Sequence, residues 1–151
     1  MSRNSLNKLV RTSGSDDPDI VTLTAWGQAI YYALTGVWSL VSIKTFQKVT
    51  GPKVDTWLVK TVGTLVLVIG GVLGMAAKKG RVTPEIVLLA TGSAAGLAAI
   101  DVVYATKRRI SPIYLLDALA EGGLIALWAV GWKLRRESDG GEGTSQAAAQ
   151  Q

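Results

Sequence analysis

Four stretches of apolar residues, each long enough to cross a lipid bilayer as a helix, dominate this sequence. They cover residues 21–43, 54–77, 84–106 and 112–133. A bilayer core about 30 Å thick requires roughly 20 helical residues, and a backbone in hydrocarbon must satisfy its own hydrogen bonds. Helices of water-soluble proteins rarely stay apolar on all sides over such a length. The sequence therefore predicts an all-α integral membrane protein with residues 20–134 as its transmembrane domain.

The connections between these stretches are short, which favours antiparallel neighbours and an up-down-up-down four-helix bundle. Thr83 and Pro84 form a typical helix start, as do Ser111 and Pro112. Both tails and the middle loop then share one side of the membrane, here called side A, and the other two loops lie on side B. Side A carries nine of the 16 Lys and Arg residues. The positive-inside rule therefore predicts both tails in the cytoplasm.

The two tails differ from the central domain in composition. Residues 1–19 are polar, and residues 135–151 are rich in Gly, Ser, Ala and Gln without an apolar stripe. Such segments bury too little apolar surface to fold, so we predict disordered tails. The first apolar stretch is longer than the apolar part of a signal peptide and lacks a cleavage site, which predicts a retained span.

Cysteine and histidine are both absent from the chain. Their absence excludes disulfides, thiol nucleophiles and the usual soft metal ligands. The net charge of +5 does not indicate nucleic-acid binding, because the basic residues cluster at the ends of apolar stretches, where they contact lipid headgroups. We therefore predict no metal, no cofactor and no nucleic-acid partner, in a chain surrounded by membrane lipid.

Four ionisable residues lie inside the predicted spans, where charged groups are costly and usually face the bundle interior or water. Lys60 is in the second span, Asp101 in the third, and Asp117 and Glu121 in the fourth. At about 1.5 Å per helical residue, all four lie about 8 to 14 Å from side B. The antiparallel arrangement therefore brings them into the same half of the bundle.

Polar and aromatic side chains at helical spacing on the first and fourth spans face the same region. We predict a cavity between these spans that opens to side B, with Lys60 and Asp101 in its wall. The candidate ligand-binding residues are Gln28, Tyr31, Trp38, Lys60, Asp101, Tyr114, Asp117, Glu121 and Trp128. Lys60 pairs with one carboxylate only, so Glu121, the deepest, is predicted to hold a proton. Alternatively, a buried Lys–Asp pair only fixes the helix register.

Glycines four or seven residues apart indicate close helix packing in membranes. The second span carries Gly63, Gly70 and Gly74 on one face, and the third span carries Gly92 and Gly96. These faces pack either against the chain's own helices or against a second copy in a homodimer. The spacing leaves both alternatives open.

The stretch from Tyr31 to Arg136 resembles DoxX-type proteins, which are small four-span bacterial membrane proteins, in its layout. It has Gly36 in the first span, Pro52 in the following loop and a glycine-rich second span, with acids late in the third span and in the fourth. The resemblance to these small bacterial membrane proteins implies the four-span fold and the bacterial inner membrane, and it assigns no functional residue.

Three functions fit this pattern. The first is the binding or transport of a small cationic or amphipathic solute at the acidic cavity. The second is a structural or accessory membrane subunit that assembles through its glycine faces. The third is a membrane enzyme acting on a lipid, with Asp117 or Glu121 as the acid–base group. No hydrolase, phosphate-loop or metal motif is present, so a protein that is not an enzyme is the better expectation.

Overall fold

The structure is a computed structural model that describes residues 19–52 and 55–148, with side chains described as far as Glu137. Helix is the only regular secondary structure in these ranges, which confirms the predicted all-α class. The helices are α1 (Ile20–Val41), α2 (Ile43–Thr50), α3 (Thr56–Lys78), α4 (Pro84–Thr106) and α5 (Tyr114–Ala148). The predicted N-terminal tail, apart from Asp19, lies outside the described residues.

Three of these helices are long and apolar enough to cross a membrane. They are α3, α4 and the part of α5 from Tyr114 to Glu137. Helix α1 has the length of a span, at 22 residues, and contains no charged residue. Its threonine, glutamine, tyrosine and serine side chains keep its mean hydropathy below that of those three helices. The sequence predicts four spans, and three helices in the described ranges have this apolar character.

Capping residues define where two of the helices begin. Asp19 is the N-cap of α1, and its carboxylate accepts a hydrogen bond of 2.7 Å from the backbone N–H of Thr22. Thr83 is the N-cap of α4, and Pro84 occupies the first turn. Local sequence therefore determines both of these helix starts, and the start of α4 agrees with the prediction.

Ile43, predicted to end the first span, and residues 44–50, predicted to be part of a connection, form the short helix α2. Phe46 is buried on its inner face, whereas Lys44 and Lys48 are exposed. Trp38 packs edge-on against Phe46, with ring centroids 5.5 Å apart. This contact folds α2 back against the end of α1 on side B.

Helix α5 extends further than predicted. It begins at Tyr114, two residues after Pro112, and continues to Ala148 through the segment for which we predict a disordered tail. Adding a residue to an existing helix requires much less ordering than starting a new one. Leu134 to Glu137 are all good helix formers, so they extend the helix past the predicted end of the span.

A tight turn on side A reverses the chain between α3 and α4. The N–H of Gly80 donates to the carbonyl of Ala77, and the N–H of Arg81 donates to the carbonyl of Ala76, both at 3.0 Å. Gly80 adopts a φ of 59°, which glycine reaches without a clash from a Cβ. This pair of bonds is a Schellman motif, and it satisfies carbonyls that the helix end would leave unpaired.

Helix α1 lies at the centre of the molecule. It packs along α3 on one side and against α5 on the other, while α4 packs mainly against α5. The start of α1 meets the end of the apolar part of α5, and its second half meets the first half of α3. Both of these neighbours therefore run antiparallel to α1. This central position explains its composition, because its polar side chains face other helices.

Glycines bring α1 and α3 into close contact. A Cβ on Gly36 would lie 2.7 Å from the backbone oxygen of Gly63, and one on Gly70 would lie 3.0 Å from the backbone oxygen of Ala29. A Cβ on Gly74 would also contact Ala29, at 3.6 Å. Gly63, Gly70 and Gly74 of α3 therefore pack against the chain's own first helix.

Gly92 and Gly96 on α4 lie on a different kind of surface. A Cβ added at either position would have no atom within 4 Å, and both residues are exposed. They make no close helix contact with the described part of the chain. The homodimer alternative for this face stays a prediction.

An apolar core fills the half of the molecule near side A. It contains Val21, Ala25, Leu73, Ala90 and Trp128, all fully buried. The packing in the other half is looser and leaves a cavity there. The side chains of most interest for function therefore lie toward side B.

Candidate functional site

A cavity of about 310 Å³ lies between α1, α3, α4 and α5, and helix α2 contributes to its wall. Its apolar lining consists of Gly36, Phe46, Leu58, Val59, Val62, Gly63, Val66, Leu97, Ile100 and Ile110. Its polar lining consists of Tyr31, Tyr32, Thr35, Ser39, Asp101, Tyr114, Asp117 and Glu121. The surface of the cavity is mostly apolar, and its polar groups lie on α1, α4 and α5.

Two tyrosines on α1 bind two carboxylates on α5. The hydroxyl of Tyr31 donates to the carboxylate of Asp117, and the hydroxyl of Tyr32 donates to the carboxylate of Glu121 at 3.1 Å. Asp117 and Glu121 are four residues apart on α5, so they share one face of that helix. Because Tyr31 and Tyr32 are neighbours on α1, they point in different directions and reach the two acids separately.

Glu121 is the most deeply buried acid of the site, with 1% of its surface exposed. Asp101 on α4 is buried as well, and Asp117 is half-buried. Both aspartates line the same cavity as Glu121. Three carboxylates from two helices therefore share one mostly apolar cavity. The prediction that Glu121 holds a proton stays a prediction.

A buried polar network continues from this site toward side A. The side chain of Gln28 donates to the backbone carbonyl of Ala90 at 2.9 Å, and it accepts a bond of 2.7 Å from the indole N–H of Trp128. Ser93 also donates to the carbonyl of Ala90, at 3.0 Å, and its hydroxyl oxygen lies 3.3 Å from that of Tyr32. These hydrogen bonds join α1, α4 and α5 next to the cavity, on the side of it that is nearer side A.

The structure brings five of the nine predicted ligand-binding residues to the cavity. They are Tyr31, Asp101, Tyr114, Asp117 and Glu121. Gln28 and Trp128 are fully buried but belong to the adjoining network, where they bind each other. Trp38, near the end of α1, is exposed and does not line the cavity, and its indole N–H donates to the hydroxyl of Thr45 at 2.9 Å.

The predicted position of Lys60 is wrong. Its side chain is exposed and does not line the cavity. The prediction used the depth of Lys60 along its helix, which places it near the carboxylates, but depth does not determine the direction of a side chain. Val59 and Gly63 face the cavity, and Lys60 is rotated about 100° from Val59 around the helix axis.

Two side chains in the hydrogen bonds of the site were not predicted from the sequence. Tyr32 and Ser93 both contact the buried acid or its partners. A signal for Tyr32 was available, because it follows Gln28 by four residues and so shares its face of α1. Ser93 had no comparable signal, since serine is common in apolar helices and its hydroxyl bonds to the preceding turn.

The site differs from a metal centre in its ligands. In the described ranges, no group of three histidine, cysteine or acidic side chains is arranged to hold a metal ion. Asp117 and Glu121 instead accept hydrogen bonds from tyrosine hydroxyls. The arrangement can pair carboxylates with a cation whose remaining surface is apolar.

The chain was also compared with known proteins. No family model, no curated protein and no solved structure matches it. Its function must therefore be inferred from the geometry of its own residues.

Proposed function

We propose that this chain is an integral membrane protein that crosses the bilayer four times as a helix bundle, with α1 as its central span. The length of α1, its lack of charged residues and its antiparallel packing against α3 and α5 support the proposal. A span whose polar side chains face the bundle interior need not be as apolar as one that faces lipid. A location in the bacterial inner membrane and the DoxX-like layout belong to the same proposal.

The proposed function is the binding or passage of a small cationic or amphipathic solute at the cavity. The observation that carries it is the burial of Glu121 in a mostly apolar cavity that it shares with Asp101 and Asp117. No Lys or Arg side chain lines this cavity in the described part of the chain. Carboxylates that share one apolar cavity repel each other when ionised, and a cation that lies among them offsets this repulsion, so a cation is the ligand that gains most here.

The lining favours an organic cation over a bare metal ion. Ca²⁺ takes six to eight oxygen ligands, and Mg²⁺ keeps several waters, so both prefer polar surroundings. The cavity instead offers aliphatic side chains and aromatic rings beside its acids. Its volume of about 310 Å³ is within the range of small-molecule sites. An ammonium group carrying an alkyl substituent matches both kinds of lining.

Binding of radiolabelled n-propylammonium to the purified protein in lipid nanodiscs tests this function. We expect saturable binding to the wild-type protein, and a loss of at least about tenfold in affinity for the Asp117→Asn/Glu121→Gln double variant. Lys60→Gln is the matched control, because it removes a charge at similar depth on the outer surface, and its affinity should equal that of the wild type. Both variants must retain the helical circular dichroism of the wild-type protein.

Two results would contradict the proposed function. One is the absence of saturable propylammonium binding to the wild-type protein. The other is an equal affinity in the wild type and in a folded Asp117→Asn/Glu121→Gln variant. Propionate, an anion of similar size, should not bind to either protein, which separates charge recognition from simple partition into the bilayer.

A second candidate function is that of an accessory subunit that assembles through α4. The outward position of Gly92 and Gly96 favours it, since these glycines have no close packing role in the described chain. Gly92→Leu should then abolish assembly while leaving the melting temperature of the single chain unchanged. Size-exclusion chromatography with light scattering measures the assembly, and a chain that is monomeric before the substitution would rule out self-assembly through this face.

A further inference from the structure

The lining residues of the cavity differ in their exposure, with buried residues on α1 and α5 and strongly exposed ones on α3 and α4. Where α1 and α5 line it, Tyr32, Ser39 and Glu121 are buried. Where α3 and α4 line it, three residues are strongly exposed: Leu58 at 49%, Val62 at 43% and Ile100 at 55%. A residue that both lines a cavity and reaches the outer surface marks an opening. The opening therefore lies between α3 and α4.

The packing of the helices explains this opening. Helices α3 and α4 follow each other in the chain and are joined by the tight turn at Gly80, yet they have few contacts with each other. Each packs mainly against another helix, α3 against α1 and α4 against α5. They meet at side A, where Val82 belongs to the apolar core, and leave a gap nearer side B.

The rim of this gap is apolar and lies at the depth of the hydrocarbon. Val62 is six residues from the start of α3, and Ile100 is six residues from the end of α4. At about 1.5 Å per residue, both lie about 9 Å inside the side B end of the helices. Leu58, two residues from the start of α3, extends this exposed lining toward side B, and the opening toward side B stays a prediction. Phe46 of α2 and Ile110 form the wall of the cavity at that end, and Phe46 is buried.

From this geometry, and on the basis of the proposed function, we infer that the cavity receives single-chain cationic amphiphiles from within the bilayer. The ammonium group lies against Asp101, Asp117 and Glu121, and the alkyl chain leaves through the gap between α3 and α4 into the lipid. Carboxylates without a basic neighbour in the lining repel a phosphate headgroup, which makes an ordinary phospholipid a poor ligand. The hydrocarbon rim favours an alkyl chain over a water-filled path.

Competition in nanodiscs tests this inference. Unlabelled n-hexadecylammonium should displace radiolabelled n-propylammonium from the wild-type protein, whereas hexadecyl phosphate should not. The Val62→Trp/Ile100→Trp variant fills the gap, and it should require at least about tenfold more hexadecylammonium for the same displacement. This tenfold change is judged against the variant's own affinity for propylammonium, measured in the same nanodiscs, so that an altered cavity is not mistaken for a blocked gap.

Val68→Trp/Val102→Trp is the matched control. It places the same two bulky residues on the same two helices, at exposed positions that do not line the cavity. It should compete like the wild type. Equal hexadecylammonium displacement in the gap variant and in this control would overturn the lateral path and leave the proposed function intact. Displacement by hexadecyl phosphate would overturn the cationic class of the amphiphile. A wild-type protein that does not bind propylammonium would overturn the proposed function itself.

Discussion

The indole N–H of Trp128 donates to the side-chain oxygen of Gln28 at 2.7 Å, and both side chains are fully buried. The amide nitrogen of Gln28 donates in turn to the carbonyl of Ala90 at 2.9 Å. One glutamine thus uses both ends of its amide to join α1 to α5 and α4. These bonds fix how the three helices are aligned, and so they determine which side chains of α1 and α5 meet at the cavity.

We predict that Gln28→Leu lowers the free energy of unfolding by about 1–3 kcal/mol, because it leaves the buried indole N–H of Trp128 without its acceptor. Trp128→Phe removes the same bond from the other side. In a double-mutant cycle the two substitutions should show a coupling energy of about 0.5–2 kcal/mol. Denaturant unfolding in detergent micelles, followed by circular dichroism, measures all four proteins. Strictly additive losses would show that the two side chains do not interact.

The close approach of α1 and α3 yields a second prediction. In Gly36→Ala the new Cβ would lie 2.7 Å from the backbone oxygen of Gly63 and 2.9 Å from the Cβ of Leu67. The two helices must separate, and we expect a loss of about 1–3 kcal/mol of unfolding free energy. Gly71→Ala is the control, since no atom lies within 4 Å of its new methyl group. A Gly36→Ala protein as stable as Gly71→Ala would contradict the packing of α1 on α3.

Asp19 yields a prediction about pH. The guanidinium of Arg135 donates to the carboxylate of Asp19, at 3.2 Å from Nε, and also to the carbonyl of Val82, at 3.0 Å. Partial burial acts to raise the pKa of Asp19, but the hydrogen bonds from Thr22 and Arg135 outweigh it and hold the pKa below its usual value of 3.8. A depressed pKa in the folded state means that ionised Asp19 stabilises the fold above about pH 4, and that this contribution is lost as the pH falls through the folded pKa.

The corresponding variant is Asp19→Asn, which keeps an N-cap oxygen and removes the charge. It should lower the free energy of unfolding by no more than about 1 kcal/mol at neutral pH, since the ion pair is partly exposed. The difference between wild type and variant should shrink toward zero when unfolding is measured at a pH below the lowered, folded-state pKa of Asp19 instead of at neutral pH. A difference that is the same at both pH values would show that the charge of Asp19 has no role.

Much of the fold follows from the sequence because a bilayer-length apolar stretch has few alternatives. The apolar stretches correspond to α3, α4 and α5, and Thr83 and Pro84 start α4 as predicted. The grouping of Asp101, Asp117 and Glu121 also follows from depth along antiparallel helices. Depth is simple arithmetic on residue numbers, so these features needed no knowledge of side-chain contacts.

The rest depends on the direction in which each side chain points. Lys60 has the depth of the site but faces outward, whereas Tyr32 faces inward and Tyr31, beside it, reaches a different acid. Rotation of a helix about its own axis is set by its contacts with all neighbours at once. The close contact at Gly36 and the edge-on packing of Phe46 set this rotation for α1 and α2. Neither contact can be read from spacing within a single helix.

The position of α1 is the point on which the cavity, the network and both proposals depend. Its polar composition sets it apart from the other long helices, so whether it crosses the bilayer decides between four spans and three. An even number of crossings places both tails on one side of the membrane, and an odd number places them on opposite sides. The chain has no cysteine, so single reporters can be introduced without background labelling.

The most direct measurement is the reaction of a membrane-impermeant maleimide with Ser15→Cys, Ser145→Cys and Lys48→Cys variants in sealed vesicles of known orientation. We predict that Ser15→Cys and Ser145→Cys are labelled from the same side, and that Lys48→Cys on α2 is labelled from the other. Labelling of Ser15→Cys together with Lys48→Cys, and opposite to Ser145→Cys, would mean that α1 does not cross the bilayer. That result would contradict the four-span bundle and the cavity built within it.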